Sequence, residues 1–341
     1  MPNKKYPLMF GCLSICVLLL LTVTGCSPSG VKAVSQAVST PVPGVSQKAP
    51  AGEPPPVAAT DPSENTTTPV PPTPQVTPTP VNTPTITPTA TITPTATKDT
   101  RLLPEQWTAW PIVPTLSARA LDIYRHGQQL GIDVHSFARI GDCQSEPAVF
   151  MGIYDDPTRY WFDEKHKYLQ AAVDQFKGSF NRDDFTARRG FGIADIFSAL
   201  KADPNQCNSG ETPIACEFRL YKPVIVLINM GTNWCAGCTN KFEKYLRMTV
   251  DFAIENGVVP VLGTKADNFE GDNSLNLAIA RVAYEYDLPL WNFWAAVQYL
   301  PDHGLRQDDP KYLTVDGWNE RSFTGLMVLN ALWTEMKKST P

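Results

Sequence analysis

Four short stretches of this sequence carry residues of the kinds that acyl transfer uses. Cys143 follows an apolar run and a Gly-Asp pair, a place where a turn holds a nucleophile rigidly and exposes it. Gly190 allows a backbone N–H to approach a developing oxyanion, and the amide of Asn233 supplies a second donor to it. Asp309 lies three residues before Tyr312, the spacing at which an acid orients a general base. The chemistry expected of such a set is nucleophilic attack on a carbonyl group.

These stretches resemble the sequence blocks of the SGNH/GDSL hydrolases. In chain order they are Arg139-Ile140-Gly141-Asp142-Cys143, Arg189-Gly190-Phe191-Gly192, Gly231-Thr232-Asn233-Trp234 and Asp309-Pro310-Lys311-Tyr312. The resemblance covers residues 101–341 and implies a three-layer α/β/α, flavodoxin-like domain with a central parallel sheet. It implies hydrolysis of acyl or acetyl esters on carbohydrates or lipids, with Cys143 as attacking group and Gly190, or alternatively Gly192, and Asn233 as oxyanion donors. It requires no cofactor and no metal ion.

Two positions depart from the family's pattern in ways that affect the mechanism. Cys143 stands where the family has its Ser, and Tyr312 stands where it has its His. At neutral pH a tyrosine is a poor proton acceptor and an unassisted thiol is mostly protonated. Because a general base typically contributes a factor of about 10² to 10⁴ in rate, the sequence predicts strongly impaired hydrolysis. His303, just ahead of the Asp309 loop, is either a substitute base or a loop histidine without a catalytic role.

The cysteines support a rival interpretation. Cys207 and Cys216 lie close together on one predicted loop, which indicates a structural disulfide. Cys235 and Cys238, in Trp-Cys-Ala-Gly-Cys after a buried strand, resemble the thioredoxin redox motif. Thiol–disulfide exchange is therefore an alternative function. A third alternative is a binding protein that keeps the pocket for a glycan or a cell-wall acyl group without cleaving it.

An SGNH-like fold would bring Cys143 close to Cys235 and Cys238, because all three follow strands at the same edge of the sheet. Two outcomes are then expected: a disulfide between two of these thiols, or a metal ion held by the three sulfurs, with His303 as a fourth ligand. The disulfide is favoured, since a Cys-x-x-Cys pair oxidises readily outside the cell.

Alternating strand and helix patterns must position these groups. Strands are predicted at Val134–Ile140, Pro223–Met230, Val258–Gly263 and Leu288–Phe293. Helices are predicted at Lys165–Phe176, Ala194–Leu200, Lys241–Glu255, Leu275–Tyr286 and Phe323–Lys337. This alternation indicates a parallel sheet whose ligand binds where loops leave the carboxyl ends of the strands.

The region before the domain predicts export and tethering. Residues 1–26 combine Lys4, Lys5 and an apolar run with Val-Thr-Gly-Cys, which resembles a lipoprotein signal with Cys26 as the lipidated residue. The alternative is an uncleaved signal anchor; both place the rest of the chain outside the membrane. Residues 27–100 are rich in Pro and Thr and predict a disordered spacer. A net charge of −5 without a basic run argues against nucleic acid as a partner.

Overall fold

The computed structural model describes residues 99–233 and 237–339. The predictions for the signal, for Cys26, for the spacer and for Trp234 and Cys235 lie outside these residues. In the described part of the chain, no helix has the length and apolar character needed to cross a membrane.

Four parallel strands form the sheet in the described residues, and neighbours in sequence are neighbours in the sheet. They are β1 (Asp133–Gly141), β2 (Pro223–Asn229), β3 (Val259–Gly263) and β4 (Leu290–Trp291). Residues 224–228 of β2 are all buried, as expected for a strand covered on both faces. Ile140 pairs with Ile228, and Gly141 with Asn229, so β1 and β2 end at the same edge of the sheet.

A short segment outside β1 takes the place of a further strand. Gly141 forms an isolated parallel bridge with Ala187, on the side of β1 away from β2. Counting this segment as second in chain order, the spatial order is 2-1-3-4-5, which is that of flavodoxin-like folds. The predicted α/β fold with a central parallel sheet is confirmed.

Side chains complete the outer edge of β1 where a full strand is missing. The Phe137 carbonyl accepts a hydrogen bond from Arg182 Nη2 at 2.7 Å. The Arg139 carbonyl accepts one from Thr186 Oγ1 at 2.6 Å. The Val134 carbonyl accepts one from a glutamine amide at 2.9 Å. The outward carbonyls of β1 are therefore satisfied without a regular ladder.

The Arg139 side chain organises the long connection from β1 to β2. Its guanidinium is fully buried and donates to Asp184 Oδ2 at 2.5 Å. It also donates to the carbonyls of Phe180 at 2.7 Å and Phe150 at 3.1 Å. A buried charge is tolerated only when it is paired and hydrogen-bonded. Here one guanidinium forms hydrogen bonds to several separate segments of the irregular connection between β1 and β2.

The helices pack in two groups. They are α1 (Ala118–Leu130), α2 (Gln170–Gln175), α3 (Pro213–Tyr221), α4 (Thr239–Glu255), α5 (Ser274–Glu285), α6 (Phe293–Val297) and α7 (Val315–Lys338). Trp333 of α7 lies edge-on against Tyr124 of α1 and against Phe176, at the end of α2. Phe218 of α3 contacts Phe252 of α4, and α4 contacts α5. These two groups are the outer layers of the predicted three-layer architecture.

Several predicted elements differ from the structure. The last predicted strand, Leu288–Phe293, is observed only over Leu290–Trp291, because Phe293 begins α6. The helix predicted at 194–200 is wrong, because the extended backbone of Ser198 divides the segment into two 3-10 turns. Cys216 lies in α3 and not on a loop, because Thr212 caps a helix there and Pro213 occupies its first turn. The closing helix begins at Val315, well before Phe323, because the Thr314 hydroxyl accepts from a backbone N–H of its first turn.

Candidate functional site

Asp142 ties together the turn after β1 and the loop after β2. Its buried carboxylate accepts the backbone N–H of Gln144 through Oδ1 and that of Thr232 through Oδ2, both at 3.0 Å. Cys143 lies between the acid and Gln144, half-buried and with a free thiol. The predicted nucleophile is thus held next to the loop that carries Asn233.

The two glycines of the second block differ in what their N–H groups can do. The Asn233 amide donates to the carbonyl of Phe191 at 2.8 Å, which joins the second block to the third. The N–H of Gly192 already donates to Asp195 Oδ2 at 2.8 Å. Gly190 is exposed, with φ +80°, and its N–H has no partner among the described residues. Gly190 is therefore the better candidate for an oxyanion donor.

The C-terminal loop reaches the same place through a glutamine. The N–H of Tyr312 donates to the carbonyl of Asp309 at 3.0 Å, which closes a turn. The carbonyl of Lys311 accepts from Gln144 Nε2 at 3.4 Å. Tyr312 therefore lies in a loop that contacts the residue following Cys143.

Helix α7 supports the turn that carries Cys143 from beneath. Trp318 Nε1 donates to Gln144 Oε1 at 2.6 Å. The buried guanidinium of Arg321 donates to the Gln144 carbonyl, to Ser145 Oγ at 2.9 Å and to Asn229 Oδ1. Burial lowers the pKa of Arg321 to about 10, and the charge of nearby Asp142 opposes this shift.

These supporting residues were not predicted as part of the site. The sequence identifies Asp142 only as part of the Gly141-Asp142-Cys143 motif, without a role of its own. Nothing in the local sequence assigns a role to Gln144 or Trp318. One signal existed for Arg321, because it lies on the stripe of α7 that continues with buried Val328 and Leu332. A charged residue on an apolar stripe indicates a buried partner.

His303 is not joined to this cluster. It is exposed on a 3-10 turn, and its Nδ1 contacts the carbonyl of Gln298 at 3.3 Å. In residues 99–233 and 237–339, no contact links it to Cys143, Gly190 or Asn233. The structure gives no support to His303 as a substitute base.

The surroundings of Cys143 keep its thiol protonated. Burial, followed by the carboxylates of Asp142 and Glu146, raises its pKa to about 11, and Arg189 opposes the shift. The thiolate is the nucleophilic form, so at neutral pH this group is a very weak nucleophile.

We expect alkylation of Cys143 by iodoacetamide to follow a titration with a midpoint near pH 11. At neutral pH the rate should be about 300-fold below that of a thiol with an ordinary pKa near 8.5. Peptide mass spectrometry of the unreduced protein measures the alkylation rate, and the same reaction in denaturant is the control.

Because the folded protein keeps the Cys143 proton to higher pH than the unfolded chain does, the free energy of unfolding should fall as the pH rises from about 9 to about 11. An alkylation midpoint below pH 9 would contradict both expectations.

The cysteine predictions have mixed outcomes. The disulfide between Cys207 and Cys216 is present. Cys143 is free and Cys238 is disulfide-bonded. A disulfide through Cys143 and a metal site of three thiols with His303 are therefore wrong.

One cavity of about 360 Å³ adjoins the turn. Glu146, three residues after Cys143, forms part of its wall, together with Ala187 at the edge of β1. Phe185, Pro147 and other apolar groups alternate there with carboxylates and one guanidinium. Cys143 itself does not line the cavity, which therefore lies beside the candidate site.

Comparison with protein-family models and with curated proteins gives no match. The solved structures that are similar to this chain include two esterase-related proteins. One is a protein from Desulfitobacterium hafniense DCB-2 described as lipolytic and of the G-D-S-L family, at 14% identity and TM-score 0.37, covering 57% of this chain and 99% of that one. The other is a catalytic mutant of an acetylxylan esterase from Geobacillus stearothermophilus, at 14% identity and TM-score 0.38, covering 58% and 95%.

Proposed function

We propose that this chain is an extracytoplasmic, lipid-anchored protein whose SGNH/GDSL-like domain binds an acyl or acetyl ester on a carbohydrate or lipid. We further propose that it hydrolyses this ester only weakly at neutral pH. The observation that supports the proposal is the state of Cys143: a protonated thiol at the nucleophile's position, with no imidazole in contact with it in the described residues.

The candidate oxyanion donors Gly190 and Asn233 are present, whereas Tyr312 stands where the family has its proton-accepting His. Among residues 99–233 and 237–339, the N–H of Gly190 and the second amide hydrogen of Asn233 have no partner, so both could donate to a carbonyl oxygen at this edge of the sheet. Backbone and amide N–H donors can also form hydrogen bonds to the neutral carbonyl of an intact ester. They therefore favour ester binding even where nucleophilic attack is slow. We assign the alcohol part of the ester to the adjacent cavity, whose wall begins three residues after Cys143 with Glu146.

A slow hydrolase that uses Cys143 is the second candidate. It is favoured by one observation, namely that the thiol is free, half-buried and next to Asp142, which holds the loop that carries Asn233. Such an enzyme would become faster as the pH approaches 11, where the thiolate forms. Exchange through Cys235 and Cys238 remains a separate hypothesis, because Cys235 lies outside the described residues.

We expect no turnover of 4-nitrophenyl acetate above the buffer rate at pH 7. At pH 10 we expect one burst of 4-nitrophenolate per protein molecule, as the Cys143 thiolate attacks the acetyl carbon and the phenolate leaves. Absorbance measures the burst, and intact mass measures the acetyl thioester. Cys143→Ala should abolish both, while Ser198→Ala is the matched control. A burst that survives in Cys143→Ala would exclude this thiol, and rapid turnover at pH 7 would overturn the proposal of impaired hydrolysis.

A further inference from the structure

A buried charged cluster lies directly behind the loop that carries Asn233. Lys265, just after β3, is almost fully buried, and its Nζ lies 2.9 Å from Asp267 Oδ1 and 2.5 Å from Glu270 Oε2. The other Glu270 oxygen, Oε1, is buried and has no hydrogen-bond partner among the described residues. Two carboxylates thus face one ammonium in a site that excludes water, an arrangement that is costly to build for stability alone.

The lysine stem packs against the backbone of the Asn233 loop. A Cβ placed on Gly231 would lie 3.0 Å from Lys265 Cδ and 3.6 Å from Cε. Gly231 has φ +141°, a conformation that favours glycine, so both its backbone and its missing side chain fit against the lysine. The next residue, Thr232, gives its N–H to Asp142 at 3.0 Å. The lysine therefore supports one side of the loop and Asp142 holds the other.

The lysine cannot easily withdraw from this contact. The side chain of Asn276 in α5 accepts the Lys265 N–H at 2.9 Å and donates to its carbonyl at 3.0 Å. The main chain and the ammonium group of Lys265 are therefore both held by hydrogen bonds or ion pairs. The aliphatic part of its side chain lies between them and packs against Gly231. A short side chain at position 265 would leave a gap where the loop now rests.

We propose that Lys265 is a positioning residue, which places the Asn233 amide through the Gly231–Asn233 loop, with Asp267 and Glu270 holding it in place. This proposal rests on the proposed function, because it assigns the oxyanion contact to Asn233. The lysine does not touch the ester and acts through the loop alone. Misplacement of a donor by about 1 Å can cost up to about 100-fold in rate.

The test is a double-mutant cycle on the burst at pH 10, in which the Cys143–acetyl bond forms and the bond to 4-nitrophenolate breaks. Lys265→Met should slow the burst about 10-fold to 100-fold. In an Asn233→Ala background the same substitution should have little further effect, because the amide it positions is gone. Additive losses would overturn the proposal, since a general structural defect does not depend on Asn233. Lys244→Met, at an exposed site on α4, is the control.

Hydrogen–deuterium exchange of the loop separates this proposal from the proposed function. Faster exchange at Thr232 and Asn233 in Lys265→Met, with unchanged exchange in β1, is expected whether or not the native protein shows a burst. Unchanged exchange at the loop would overturn the role of Lys265. A missing burst in the native protein, with the exchange result as expected, would count only against the proposed function. If Lys265→Met does not fold, Glu270→Gln retains the stem and should give a smaller change in the same loop.

Discussion

Cys143→Ser combined with Tyr312→His should hydrolyse 4-nitrophenyl acetate about 10² to 10⁴ times faster than Cys143→Ser alone at neutral pH. Histidine at 312 would supply the missing proton acceptor on a loop whose Lys311 carbonyl already contacts Gln144. Asp309 is three residues earlier, and its carbonyl already accepts the N–H of residue 312. The gain should follow the titration of an imidazole, rising through about pH 6.5.

The matched control is Cys143→Ser with Tyr312→Phe, which changes the same position without adding a base. It should show no gain. If the histidine variant folds and remains as slow as this control, the C-terminal loop does not reach the hydroxyl. The equivalence of residue 312 with the base position would then be wrong, and the site would have to be a binding site of another design.

Arg321→Met should lower the free energy of unfolding by about 3 kcal/mol, through the buried acceptors that it leaves without donors. In this variant the Gln144 carbonyl and Asn229 Oδ1 both lose their guanidinium donor. The variant no longer pays the desolvation free energy of a buried charge, but this gain offsets only part of the lost hydrogen-bond stabilisation. Arg321→Lys should recover little, because a compact ammonium cannot reach both the Gln144 carbonyl after β1 and Asn229 Oδ1 at the end of β2. Urea titration measures each value.

Arg125→Met is the control for this measurement, since Arg125 pairs with Asp122 on the exposed face of α1. Its unfolding curve should overlap that of the native protein. An Arg321→Met protein as stable as the control would mean that α7 does not hold the turn. In that event the reactivity of Cys143 should also be unchanged.

The strands could be predicted from the sequence because their signal is local. Pro223–Met230 was predicted and Pro223–Asn229 is observed, since a run of β-branched residues of that length fits a buried parallel strand. The connection between β1 and β2 could not be predicted in the same way. Its order depends on Arg139 and on side chains that replace a strand, and neither leaves a periodic pattern.

In the candidate site, too, the residues with a local sequence signal can be predicted and those held by distant contacts cannot. Cys143, Gly190 and Asn233 are predicted as site residues because they occur in short motifs, and the structure brings their segments together through Asp142 and Phe191. The contacts that support them join residues far apart in the chain, such as Trp318 and Gln144, which are separated by 174 positions. Spacing within a motif cannot report such pairs.

The side chains along the outer edge of β1 have a consequence for molecules crowded side by side. An open edge strand offers unpaired carbonyls and N–H groups to any passing chain, and proteins cover such edges to avoid unwanted pairing. Here Arg182 and Thr186 occupy the carbonyls that an intruding strand would need. Two of the carbonyls that a neighbouring copy would need for strand pairing are therefore already occupied, which disfavours association through β1 when copies of this domain are crowded together.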